Sequence, residues 1–140
     1  MTPFAGIGVG DELPALRRVV TPEDVRAYAE AGGDPNPLHQ DDQVARAAGF
    51  TGMIAHGMFT MAHLAACVTG WIDDDVEVVR IAAQFRAPVF MGEEIVAGGR
   101  VRSVDVPERS VVLELWVTVQ RDGSVEYPIR KGEAELRFAG

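Results

Sequence analysis

Cysteine, histidine and basic residues are all scarce in this 140-residue chain. Because Cys67 is the only cysteine, neither an intrachain disulfide nor a cluster of thiolate metal ligands can form. Thirteen lysines and arginines oppose 21 acids, and the resulting net charge of -8 disfavours non-specific binding to nucleic acid and to anionic membrane surfaces. No apolar run reaches the length of about 18 residues that a membrane span needs. The first residues also lack the basic and apolar regions of a signal peptide, so we expect a cytoplasmic protein.

The first half of the chain has helical patterns. Thr21, Pro22 and two acids are typical of a helix start, and the helix should end near Ala31, before two glycines. A second short helix is expected over 41–48. Residues 54–71 are apolar almost all round, which predicts a buried helix of about four turns.

The second half changes to a period of two, with many β-branched residues. It predicts strands over 76–88, 94–104, 110–120 and 125–138, after a possible short strand over 13–20. The turn at Asp122-Gly123 is typical of a hairpin. Helices followed by long antiparallel strands indicate an α+β fold in which a curved sheet surrounds the buried helix. We find no linker, so residues 1–140 are expected to form one domain.

The run from Asp34 to His39 places an acid, an amide and an imidazole within six residues, separated by Pro35 and Pro37. Proline restricts its own φ and favours an extended conformation in the residue before it, so we expect a stiff, non-helical loop. Such a loop could hold Asp34 and His39 as a general acid–base pair. The alternative is an ordinary surface turn that contains a histidine by chance.

The buried helix should begin near His56 or Gly57, where the first amides have no intrahelical acceptor. The helix dipole and the absence of a side chain at Gly57 would let a substrate carbonyl approach these amides. Gly57 could equally be a packing glycine, and His56 a core residue. Together with the acid–base loop, however, the segment suggests proton transfer next to a thioester or ketone carbonyl.

Metal binding is the competing use of Asp34, His39, His56 and His63. His56 and His63 are seven positions apart, which is not the i, i+4 spacing of a helical zinc pair, and no cysteine supports them. We therefore expect no metal. His63 should pack or hydrogen-bond within its helix.

Three segments resemble the MaoC-like dehydratases, the family of (R)-specific enoyl hydratases and (3R)-hydroxyacyl dehydratases. They are 28–39 (YAEAGGDPNPLH, followed by Ala45), 54–61 (IAHGMFTM) and 84–89 (QFRAPV). The closest similarity is to the catalytic subunit of mycobacterial-type hydroxyacyl-carrier-protein dehydratases. One departure is Ala65, which stands where some hydratases carry a serine.

The resemblance implies a hot-dog fold, a long central helix wrapped by an antiparallel sheet. It implies that Asp34 and His39 are catalytic, that Asn36 and Pro37 orient their loop, and that the Gly57 amide binds the thioester carbonyl. His56, Met58 and Met61 become possible pocket residues. The implied partners are an acyl-CoA or acyl-carrier-protein thioester and a second hot-dog subunit, identical or related, with edge-to-edge pairing of the two sheets. No cofactor is implied.

The implied reaction is the reversible hydration of a trans-2-enoyl thioester to the (3R)-hydroxyacyl thioester. A non-catalytic acyl-binding partner subunit is one alternative, but such subunits generally lack the Asp/His pair. A hot-dog thioesterase is another, but it would carry its acid on the buried helix, and residues 58–71 contain no Asp or Glu.

Overall fold

The computed structural model describes residues 3–140. The glycine-rich residues 1–10 are predicted from sequence to be an irregular segment, and the first two of them lie outside the described part. Five antiparallel strands form one sheet in the order β1-β3-β4-β5-β2. The strands are β1 (Leu16–Val19), β2 (Val76–Phe85), β3 (Glu94–Asp105), β4 (Ser110–Arg121) and β5 (Ser124–Phe138). The helices are α1 (Pro22–Gly32), α2 (Asp42–Ala47) and α3 (Gly57–Thr69), with 3-10 turns at Phe4–Gly6 and Pro37–His39.

The sheet has one apolar face, produced by alternation along the strands. In β4, every second residue from Val111 to Val119 is buried, and these side chains share one core with residues of α3 and β5. Asp122 and Gly123 have φ of 52° and 77°, the two positive values of a type I′ turn, which confirms the predicted hairpin. Register shifts in β2, β3 and β4 bend the sheet around α3.

Helix α3 lies against the apolar face of this curled half-barrel, with Leu64 and Val68 fully buried. The expectation that α3 is buried on all sides is wrong for the chain alone. Met58 is 56% exposed, and Ala62 and Ala66 lie on the same solvent-facing side. Periodicity could not identify this open face because its residues are apolar like those of the core.

The predicted start of α1 is confirmed by its cap. The Thr21 hydroxyl accepts a hydrogen bond from the Asp24 amide, and the Asp24 carboxylate accepts one from the Thr21 amide, so the two form a capping box. Two strands were predicted to be longer than they are. β1 covers only Leu16–Val19, after Pro14, which has no N–H for the ladder, and β2 ends at Phe85, three residues before Pro88.

Two side chains of α3 hydrogen-bond to other elements. His63 is buried, as the packing alternative predicted, and its Nε2 donates to the Leu16 carbonyl of β1 at 2.8 Å, so its hydrogen bond is to another element and not within its own helix. Burial lowers the pKa of His63, an effect that the Leu16 carbonyl partly opposes. Cys67 is buried and its thiol is 3.5 Å from the Pro14 carbonyl, as expected for a small core residue. Burial raises the pKa of this thiol.

Within residues 3–140, none of the helices combines the length and the apolar character that crossing a membrane would require.

Candidate functional site

The loop after α1 is held by short-range hydrogen bonds of its own side chains. Gly33 ends α1 with φ of 66°, and the Asp34 amide then donates to the Ala29 carbonyl. One carboxylate oxygen of Asp34 accepts from the Asn36 amide at 3.2 Å, and the Asn36 side chain accepts from the Leu38 amide at 3.1 Å. Asn36 therefore caps the 3-10 turn Pro37–His39. The expected wholly non-helical loop is corrected in this respect, because proline is well suited to the first position of such a turn.

The ring of His39 is oriented by the backbone before α3. Its Nδ1 lies 2.8 Å from the Ile54 carbonyl oxygen. Because a carbonyl can only accept, Nδ1 carries the hydrogen, and the lone pair of the neutral ring is on Nε2. His39 thus presents a proton acceptor on the side away from Ile54.

Helix α3 begins at Gly57, as the sequence predicted, and His56 is its N-cap residue with extended φ and ψ. The Gly57 N–H lies in the first turn, where amides have no intrahelical acceptor and the helix dipole is positive. A methyl group at Gly57 would come within 3.3 Å of the Phe85 ring. The absence of a side chain therefore leaves the space that a substrate carbonyl would need.

His56 lies between the loop and the helix and is 2% exposed. Its Nε2 is 3.1 Å from the Asp34 backbone oxygen and 3.8 Å from one carboxylate oxygen of Asp34. Its ring stacks on that of His39, with centroids 3.9 Å apart and planes inclined by 28°. The structure therefore brings Asp34, His39 and His56 together.

Asp34, His39 and His56 each place one possible ligand atom within 4.8 Å of the others. A carboxylate and two imidazoles could in principle bind a divalent cation. Hydrogen bonds to the Ile54 and Asp34 carbonyls already occupy one nitrogen of each ring. The expectation that no metal binds stays a prediction.

Two cavities meet at this cluster, and His39, Gly57 and Phe85 line both of them. The first, here called the apolar cavity, has a volume of 330 Å³. The second, here called the polar cavity, has a volume of 360 Å³. The apolar cavity is also lined by Phe50, Ile54, Ala55, Thr60, Arg86, Ala87, Pro88, Val89 and Pro128, and the polar cavity by Tyr28, Gly32, Asp34, His56 and Met58.

The two methionines proposed as pocket residues differ in position. Met58 lines the polar cavity, whereas Met61 packs against the hydrophobic core and lines neither cavity. Phe85, the wall between the cavities, was not identified as a site residue from sequence. It lies within the matched 84–89 segment, which was the available indication. The buried hydroxyl of Thr60 was also missed, because threonine in an apolar helix carries no distinctive pattern.

An ion pair supports the loop that carries the far wall of the apolar cavity. Arg121 binds both carboxylate oxygens of Glu93, at 2.8 and 2.9 Å, and also donates to the Pro88 carbonyl. Burial alone would raise the pKa of Glu93, but the hydrogen bonds from Arg121 and from the Phe90 amide together hold it below its usual value. Arg121 thereby fixes the position of Pro88 and Val89 relative to the β4–β5 hairpin.

The sequence is similar to one known domain family and to several characterised proteins. The MaoC like domain matches residues 8–121. The mitochondrial 3-hydroxyacyl-[acyl-carrier-protein] dehydratase of Arabidopsis thaliana is 38% identical over 100 residues, which cover 71% of this chain and 58% of that protein. The 3-hydroxyacyl-thioester dehydratase X of Mycobacterium tuberculosis is 40% identical over 78 residues, which cover 56% of this chain and 27% of that protein. The chain thus spans less than two thirds of the length of either relative.

The solved structure of the R-hydratase PhaJ1 from Pseudomonas aeruginosa superposes with a TM-score of 0.84 at 27% sequence identity. The match covers 97% of this chain and 84% of that chain. It confirms the predicted hot-dog architecture, in which a curled five-stranded antiparallel sheet packs around one long helix.

Proposed function

Because this chain belongs to the MaoC-like domain family, we propose that it catalyses the reversible hydration of trans-2-enoyl thioesters to (3R)-hydroxyacyl thioesters. The activity makes it a hydro-lyase, and Asp34 and His39 are its acid–base pair. The observation that carries the proposal is the convergence of His39 and Gly57 on the wall shared by both cavities, with Asp34 in the polar cavity. The named relatives are dehydratases of 3-hydroxyacyl thioesters, which agrees with this chemistry.

In the hydration direction, the oxygen of a water molecule bonds to C3 and a proton is added to C2. The lone pair of His39 Nε2 is available to accept a proton, and the Asp34 carboxylate lies in the same polar cavity. The two side chains share the two proton transfers: one removes a proton from the attacking water, and the other, in its protonated form, donates a proton to C2. Dehydration runs through the same steps in reverse. Well-placed acid–base groups of this kind contribute about 10²–10⁴-fold each.

Addition of the oxygen at C3 places negative charge on the thioester oxygen as an enolate. The Gly57 amide at the start of α3 donates to this oxygen, and the helix dipole adds to the stabilisation. The apolar cavity, lined by residues such as Ile54 and Val89, receives the acyl chain. Because His39 and Gly57 lie at its boundary, the reacting carbons would stand beside the acid–base pair.

We also propose that the chain pairs with a second hot-dog subunit, identical or related, along the edge of its sheet. β2 is an edge strand of 10 residues on which Val78, Val79 and Phe85 are exposed. An edge strand of this length and character, paired on one side only, is a suitable surface for strand addition. The strand ends at Phe85, so a subunit docked there would adjoin both cavities.

Residues 1–140 are proposed to act as one domain, since a single core includes both Leu13 and Phe138. A cytoplasmic location is likewise a proposal, and cell fractionation tests it. The Arabidopsis thaliana relative is named as mitochondrial.

The test is hydration of crotonyl-CoA and of a longer trans-2-enoyl-CoA by the purified protein, measured as loss of the enoyl absorbance. The same acyl groups on a carrier protein distinguish the two carriers. Activity that disappears in His39→Ala supports the proposal. A folded, monodisperse protein that is inactive with both carriers, alone and with a co-purified hot-dog partner, overturns it in favour of acyl binding without catalysis.

A further inference from the structure

One buried histidine contacts both members of the proposed acid–base pair and directly precedes the glycine that begins α3. The His56 ring nitrogen Nε2 is 3.1 Å from the Asp34 backbone oxygen, and the ring stacks on His39. The next residue in the chain is Gly57, the first residue of α3. A displacement of this single ring would therefore move the acid, the base and the carbonyl-binding amide relative to one another.

The hydrogen bond to Asp34 determines which nitrogen of His56 carries the proton. The Asp34 carbonyl can only accept, so Nε2 is the donor, and one carboxylate oxygen of Asp34 lies 3.8 Å from the same nitrogen. The other nitrogen, Nδ1, is buried and has no hydrogen-bond partner among the described residues. A buried ring nitrogen without a partner is unfavourable, and such groups are rare enough to need an explanation.

Neither phenylalanine nor glutamine at position 56 would reproduce both the hydrogen bond to Asp34 and the stacking on His39. Phenylalanine would stack on His39 and pack against Tyr28, whose ring centroid is 4.9 Å from that of His56, but it has no N–H for Asp34. Glutamine could place an N–H near the position of Nε2, but it has no ring. A histidine in the Nε2–H form provides both contacts, at the expense of the unpartnered Nδ1.

From this geometry we infer that His56 is a positioning residue, whose Nε2–H fixes the Asp34 loop while its ring face fixes the plane of the His39 imidazole. His56 does not itself need to transfer a proton to substrate. Its two contacts hold the acid–base pair in one arrangement before substrate enters. The inference rests on the proposed function for its kinetic consequence, but not for the tautomer and the contacts themselves.

The kinetic test uses three variants, each shown to be folded by circular dichroism and by its melting transition. His56→Phe keeps a ring, His56→Gln keeps a donor near Nε2, and His56→Asn keeps only a polar group nearer Nδ1. We expect kcat to fall about 10- to 100-fold in the Phe and Asn variants, with KM within about threefold of wild type, because misplacement of reacting groups by about 1 Å has effects of this size. On a logarithmic scale, the loss of kcat in His56→Gln should be no more than half of the loss in His56→Phe. Equal losses in all three variants, or near-normal kcat in His56→Phe, overturn the inference.

A measurement on the wild-type protein decides the case if the variants do not fold or if no activity is found. Nitrogen-15 NMR of the histidine rings, at a pH where they are neutral, reports which nitrogen of each ring is protonated. We expect Nε2–H for His56 and Nδ1–H for His39. An Nδ1–H tautomer at His56 overturns the inference, because Nε2 could then not donate to Asp34. Since this readout needs no turnover, failure of the inference is distinguishable from failure of the proposed activity.

Discussion

Replacing Gly57 by alanine adds one methyl group at the point where the two cavities meet. The added carbon would lie 3.3 Å from two atoms of the Phe85 ring, a few tenths of an ångström closer than ordinary contact. Phe85 is 51% exposed and can rotate away, and alanine is favoured over glycine in helices by up to about 1 kcal/mol. We therefore expect the free energy of unfolding to change by no more than about 1 kcal/mol.

The effect of the Gly57→Ala change on activity should be far larger. The methyl group occupies the approach to the Gly57 amide and displaces Phe85 from the wall that both cavities share. Loss of one donor to a developing oxyanion reduces kcat by about 10²–10³-fold, so we expect kcat/KM to fall at least about 10-fold and up to this limit. The assay is hydration of crotonyl-CoA, with stability measured in parallel by urea unfolding.

Gly6→Ala is the matched control for this experiment. Its added carbon would meet only Pro3, at 3.9 Å, and Gly6 lies outside both cavities. Activity of Gly57→Ala equal to that of Gly6→Ala would refute the placement of the thioester carbonyl at the start of α3. A large loss of stability in Gly57→Ala would refute the view that Phe85 can move aside.

Three further predictions concern stability. Leu64→Ala should lower the free energy of unfolding by about 3 kcal/mol in urea titrations, because Leu64 is fully buried; a loss below about 1 kcal/mol would contradict the core described here. The pKa of Glu93 is lowered, so the stabilisation from its ionised carboxylate is complete above about pH 4.5 and is lost as the pH falls through the folded-state pKa. Glu93→Gln should therefore lose less stability on acidification than wild type. Parallel curves of unfolding free energy against pH for the two proteins would count against the Arg121 pair. The pKa of His63 is lowered from 6.5, so the folded state binds fewer protons than the unfolded chain, and wild type should lose stability as the pH falls below about 6.5. His63→Gln, whose side-chain N–H can still donate to the Leu16 carbonyl, should not show this decline. An unchanged decline in the variant would be inconsistent with a buried neutral His63.

Local features of the fold could be predicted from sequence because their causes are local. The Thr21 capping box, the Asp122–Gly123 turn and the start of α3 each depend on a few neighbouring residues, and all are present in the structure. The ends of β1 and β2 were placed less accurately. They depend on which residues find partners in the sheet, and prolines near both ends interrupt the ladder.

Contacts between distant segments could not be predicted in the same way. The two motifs containing Asp34 and Gly57 could be recognised, but His56 gave no indication that it would bond to Asp34 across 22 positions and stack on His39. Its pattern fits a core residue and a pocket residue equally well, and the structure shows that it is both. Phe85 was missed for a related reason, since its role depends on how β2 passes the start of α3.

The open side of α3 is a third case. An apolar helix surface predicts burial but does not say whether the chain itself or another subunit provides the cover. In the single chain, Met58, Ala62 and Ala66 remain exposed. The exposed residues of β2 are a parallel case, for which we propose a second subunit.

The central claim is that Asp34 and His39 act together as one acid–base pair, and a double-variant kinetic cycle tests it most directly. Asp34→Asn, His39→Gln and the double variant would be compared with wild type in the hydration of crotonyl-CoA, or of the carrier-protein substrate if that is the active one. We expect kcat to fall more than about 100-fold in each single variant. The double variant should fall little further, because residues that act as a unit are strongly non-additive. Near-normal turnover in either single variant, or losses that multiply in the double variant, would contradict the account.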